Sequence, residues 1–246
     1  MFIYIQPRNI FLACLICMVS QYTFSDPLQS EVIQAGLVKY LQSNNSDLIE
    51  MHDDLLAIKK DNPQTQDIDL QILFYEFLIS DISPKKQKKK YSALCISRAK
   101  MAEKAQVYKA ELHALLSACY GFSAESNFFK AASHGIKSGK MMEKALGYDE
   151  KNTFAFLIKG IGDYTRPAFA GASKENAKQN LYIVMNLLNE TGEGKDLLME
   201  SIANFHLGNI AYLEKDKELS LEYLSKSLNY VPDYKRAIEL KKKIDS

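Results

Sequence analysis

The chain has 246 residues, 47% of them hydrophobic and 25% charged, with 31 basic side chains against 30 acidic ones. That length fits one ordinary domain or two small ones, and it can bury a sizeable core without metals or disulfides. The formal charge of +1 argues against a broad electrostatic footprint for nucleic acid, and the scarcity of glycine (11) and proline (6) disfavours β-sandwich, collagen-like and disordered classes.

The first element along the chain is an address. Residues 1–25 hold no acid and one base, Arg8, followed by the apolar run Ile10 to Val19 and a polar stretch ending at Ser25. A short apolar run behind a positive start, closed by small residues, predicts a secretory signal peptide cleaved before Asp26, with Thr23 and Ser25 at its small positions. The run is shorter than the ~20 apolar residues a membrane-spanning helix needs. The alternatives are an uncleaved anchor, or lipidation at Cys14, where Leu12-Ala13-Cys14 resembles the end of a lipobox although Arg8 stands close before it. The expected location is therefore exported, periplasmic or secreted. Loss of the leader removes one base and leaves the body without net charge. Cys14 and Cys17 depart with it, so Cys95 and Cys119 are the cysteines left to form a disulfide.

From Leu28 onward the apolar spacing is three and four, with turn signals every fifteen to twenty residues. The spacing predicts helices over 28–42, 46–60, 66–81, 84–106, 109–122, 128–146, 152–164, 174–189, 195–214 and 217–229, with a tail helix from Asp233. Ser83-Pro84 and Ser173 read as helix starts. The fold class is all-α, with residues 26–150 read as divergent helical hairpins and 151–246 as more regular repeats.

The period sharpens the picture. Residues 201–234 carry Leu207, Gly208, Ser220, Leu224, Ser227 and Pro232. This pattern resembles the 34-residue tetratricopeptide repeat, with Leu-Gly in the first helix, small residues twice in the second, and proline at the end. Asn204 departs from it, since that position is usually aromatic. The unit before repeats the theme: Gly160 and Tyr164 mirror Gly208 and Tyr212, while Ala177 and Leu181 mirror Ser220 and Leu224, with five extra residues inserted within Tyr164–Ala172. Its Pro167-x-x-x-Gly171 loop is similar to one that recurs in divergent bacterial repeat proteins. The resemblance implies a right-handed α-α superhelix of about four to five helix pairs, of the exported bacterial type. It also implies a concave face lined by first helices: Phe154, Leu157, Ile161 and Tyr164, then Ile202, Phe205, Asn209 and Tyr212. That lining is aromatic and aliphatic, suited to an apolar ligand or a hydrophobic partner helix, or else to packing by neighbouring helices as ordinary core.

Chemistry-bearing motifs are sparse. His52, His113, His134 and His206 have no histidine or cysteine three or four residues away, so no helical metal pair exists and no metal is expected. Gly160-Ile161-Gly162 lies within a predicted helix rather than after a strand. No cofactor and no catalytic residue is expected. If 84–106 and 109–122 form a hairpin turning near Val107, Cys95 and Cys119 stand at equal height, and the small neighbours Ala99, Ala102, Ala114 and Ala118 permit the approach a disulfide needs. The dense charge run Lys85, Lys86, Lys88, Lys89 and Lys90 sits at a helix start, against the helix dipole. It reads as a solvated helix end, or as a contact for an acidic partner or for anionic lipid headgroups at a membrane surface.

Two functional expectations result. The first is an exported, non-enzymatic scaffold or adaptor acting through protein–protein contacts. The second is a binder of an apolar small molecule, similar to the periplasmic helical-repeat components of substrate-import transporters, which assemble as oligomers; a homo-oligomer is part of that expectation.

Overall fold

The computed structural model of the chain describes residues 30–63, 66–103, 108–190 and 196–246. The expected signal peptide over 1–25 lies outside the described residues. The described residues form eleven α-helices, two short 3-10 turns and no strand. In chain order these are α1 (Glu31–Leu41), α2 (Asn45–Asp61), α3 (Gln66–Ile82), α4 (Lys85–Ala102), α5 (Lys109–Ser126), α6 (Ala131–Tyr148), α7 (Thr153–Thr165), α8 (Lys174–Glu190), α9 (Leu197–Leu213), α10 (Lys217–Tyr230) and α11 (Lys235–Asp245).

Most helix starts are set by short polar caps. Ser30, Asn44, Asn152, Asp196 and Asp216 each accept a backbone N–H from the third residue onward. Ser173 caps α8 in the same way, through Asn176. Ser83 does not cap α4: its hydroxyl is turned to Asn45, and Pro84 takes the cap position with no side-chain cap bond. The predicted helix over 128–146 starts later, at Ala131, because Phe128–Lys130 forms a 3-10 turn. The helix predicted to end at 122 runs to Ser126.

Helices adjacent in sequence pack as antiparallel hairpins, α3 with α4, α5 with α6, α7 with α8 and α9 with α10, and the first members of successive pairs touch one another. The hairpins share one crossing geometry. A Cβ placed on Gly208 would stand 3.1 Å from Leu224 Cγ and 3.2 Å from the Ser220 carbonyl. One placed on Gly160 would stand 3.0 Å from Leu181 Cγ and 3.3 Å from the Ala177 carbonyl. Helix axes come this close only where side chains are small. Hydroxyls then tie the partners: Ser220 donates to the Gly208 carbonyl (2.8 Å), Ser227 to the Ser201 carbonyl (2.8 Å), and Ser117 on α5 to the Ser138 carbonyl on α6 (2.8 Å). The fold is an all-α array of consecutively packed helical hairpins.

The five-residue insertion after Tyr164 becomes a compact turn. Arg166 pairs with Asp163 (2.6 Å), Asn180 donates to the same carboxylate (2.8 Å), and the Ser173 amide donates to the Asp163 carbonyl (2.7 Å). Gly171 closes the turn at φ 81°, a conformation glycine adopts without strain.

Cys95 on α4 and Cys119 on α5 are bonded as a disulfide, their Cα atoms 6.2 Å apart. Ala99 and Ala114 beside them are fully buried, so the hairpin interface is narrow at that level.

Candidate functional site

The residues expected on the concave face meet the chain's own helices. Phe154, Leu157, Ile202 and Phe205 are buried in the core; Ile161, Tyr164, Asn209 and Tyr212 are half-buried. Phe154 packs against Phe74 (5.8 Å between ring centroids) and Phe77 (6.0 Å), both on α3. Phe205 packs against Tyr234 (4.9 Å) and under the Arg236 guanidinium (5.0 Å), at the start of α11. The Lys243 ammonium lies over the Tyr212 ring (5.1 Å). Helix α11 thus runs along the inner surface of α9, and α1 contacts both α3 and α9.

Where α1, α3, α7, α9 and α11 converge, the core becomes polar. Arg236 Nη1 donates to Asp81 Oδ2 (2.8 Å) and to Tyr40 Oη (3.1 Å), while Tyr40 donates its own proton to Asp81 (2.6 Å). Burial would raise the Asp81 pKa, but Arg236 and the two hydrogen bonds outweigh it and hold the carboxyl below its ordinary value. Burial and the neighbouring Asp81 push the Tyr40 phenol well above the usual range, so it remains a donor. Gln42 donates to Asp233 beside this group, a second tie between the two ends of the described chain.

A short relay lies next to it. Asn209 Nδ2 donates to Tyr164 Oη (3.1 Å), leaving the phenol proton to go to His206 Nδ1 (2.6 Å). Burial, reinforced by the charge of Arg236, lowers the His206 pKa to about 3, so the imidazole is neutral. Burial raises Tyr164 to about 12. His206 Nε2 and Tyr234 Oη are buried without a hydrogen-bond partner. These groups orient one another and anchor the two ends; the aromatic lining read from the sequence is spent on them. Sequence reasoning named Tyr164, Phe205 and Asn209 but missed Tyr40, Asp81, Tyr234 and Arg236, because nothing local links residues 155 positions apart.

His113 and His52 are buried in the core. His113 Nδ1 bonds the Lys109 carbonyl (2.7 Å). His52 lies 3.5 Å from Glu76, which is fully buried and receives Arg98 Nε at 3.0 Å. Among the described residues, no group of three His, Cys, Asp or Glu side chains is placed to hold a metal ion, and no helix is long and apolar enough to cross a membrane.

The outer side differs in character. Between α4, α5 and α6 lies an open cleft of about 180 Å³ lined by Ala93, Ile96, Lys100, Tyr120, Ser123, Lys130, His134 and Lys137. The His134 ring stands edge-on to Tyr120 (5.0 Å), with its Nδ1 buried and unpartnered. Burial and then the charges of Lys130, Lys137 and Lys100 lower its pKa. No protein-family model matches the chain, and no curated protein matches it.

Proposed function

We propose that the chain is an exported, non-enzymatic, tetratricopeptide-like scaffold that acts through protein contacts on its outer surface. The recurring close crossings at Gly160 and Gly208 support the repeat assignment. The observation that carries the functional reading is the covering of the inner face by α1 and α11, which leaves recognition to the outer helices. On that outer side Tyr182 of α8 and Tyr223 of α10 meet through their hydroxyls (2.9 Å), the first exposed and the second half-buried. Tyrosines presented this way suit interfaces, since they offer a large apolar area with a polar tip.

Native mass spectrometry of the protein isolated from its own cells tests the reading. A retained protein partner that is lost from a Tyr182→Glu/Tyr223→Glu variant supports it. A retained small apolar molecule, with no protein, overturns it in favour of the transporter-associated binder.

A further inference from the structure

The turn between α5 and α6 exposes two large apolar side chains side by side: Phe128 is 89% exposed and Phe129 is 96% exposed, with ring centroids 6.0 Å apart. Phenylalanine rings this exposed are unusual on a folded chain. Their neighbours are basic. No acidic residue occurs between Ser83 and Ala102 or between Ser126 and Met142, whereas those segments carry Lys85, Lys86, Lys88, Lys89, Lys90, Lys100, Lys130, Lys137 and Lys140. Lys88 pairs with Glu125 (2.9 Å) and lies over the Phe122 ring (5.4 Å), which sets the lysine run of α4 beside the end of α5 and its turn. Among the described residues no carboxylate pairs with Lys85, Lys86, Lys89, Lys90, Lys100, Lys130 or Lys137. The last three of these line the cleft with His134, whose Nδ1 has no partner.

A third apolar group belongs to the same edge. Asn152 at the start of α7 donates to Glu111 near the start of α5 (2.6 Å) and the two helices pack on each other. As first members of successive hairpins they run in the same sense, α5 over 18 residues and α7 over 13. The turn after α7 therefore lies on the edge that holds the turn after α5. It presents Phe169, which is 90% exposed.

We propose that this edge docks the protein on an anionic lipid bilayer, with Phe128, Phe129 and Phe169 entering the headgroup–acyl boundary and the lysines around the cleft meeting lipid phosphates. Aromatic rings set in a field of unpaired lysines match both layers of such a surface, apolar at depth and negative at its face. A protein partner of acidic composition would match the lysines and leave the projecting rings without a purpose. The inference is independent of the protein-partner reading, because it uses the turn edge rather than the Tyr182–Tyr223 face.

Co-sedimentation with vesicles of phosphatidylcholine alone, or of phosphatidylcholine with phosphatidylglycerol, tests it. The protein is expected to bind the phosphatidylglycerol vesicles, to leave them as salt is raised, and to bind neutral vesicles weakly. Phe128→Ser/Phe129→Ser and Lys130→Glu/Lys137→Glu should each weaken binding about tenfold or more. The residues are exposed, so the variants should keep the parent's circular dichroism and melting temperature. All proteins compared share the same N-terminus, so any contribution from residues 1–29 cancels. Failure of the parent to bind, or equal binding by parent and both variants, overturns the proposal.

Discussion

Arg236 on the last described helix reaches Asp81 on the third, Nη1 to Oδ2 at 2.8 Å, across 155 residues of chain. The same carboxylate takes the proton of Tyr40 on the first. Hydrogen bonds to charged groups contribute about 1.5–3 kcal/mol each. Arg236→Gln is therefore expected to destabilise the fold by about 2 kcal/mol in urea unfolding, and Asp81→Asn by a similar amount. Stability unchanged in both would show that the ends are held by packing alone.

Acid should weaken the protein through His206. Because the folded His206 pKa, about 3, lies below the ordinary imidazole value, the unfolded chain takes up this proton first. The stability contributed by neutral His206 is thus complete above about pH 6.5 and is lost as pH falls toward 3, at up to about 1.4 kcal/mol per pH unit. Asp81, also held low, adds a loss of the same sign only below the ordinary carboxylate range. Melting temperatures measured between pH 7 and pH 5 should show the slope, and His206→Gln should flatten it.

Glu76 is the most deeply buried acid described, and Arg98 is its cationic partner at 3.0 Å. Removing only the arginine leaves a charge uncompensated in the core, so Arg98→Met should cost about 3 kcal/mol. Adding Glu76→Gln to Arg98→Met should recover part of that loss, and a double-mutant cycle measures the coupling. Additive losses would contradict the pairing.

The Cys95–Cys119 bond spans a sequence separation of 24. Closing a loop of that size in the unfolded chain contributes about 3 kcal/mol in the chain-entropy model. The chain starting at Asp26 should show no free thiol under denaturing, non-reducing conditions, and reduction should lower its melting temperature by several degrees. Two free thiols would refute the bridge.

The helices were legible because each apolar stripe and most caps are local: ten of the predicted spans correspond to described helices, and the tail helix begins at Lys235, near the expected Asp233. Gly160 and Gly208 were legible because their close-packed partners, Leu181 and Leu224, recur at a readable spacing. The cover over the inner face was not. Phe154 and Phe205 have the same sequence signature whether they line an open groove or a filled core, and what fills it is decided by α3 and α11, far off in the chain. Arg236 reads from sequence as one more base in an amphipathic helix. The lysine run of α4 was legible as charge, but the adjoining Phe128 and Phe129 were expected inside a helix, and only the 3-10 turn puts them in solvent.

Helical arrays in which each unit touches only its neighbours unravel from their ends, one unit at a time. Here the two described ends hold each other through Tyr40, Asp81 and Arg236. Peeling α1 away breaks the Tyr40 hydrogen bonds to Asp81 and Arg236, and peeling α11 away breaks the Asp81–Arg236 ion pair as well, so fraying of either described end costs contacts of one shared group. A linear stack is thereby converted into a loop that opens in a single cooperative step.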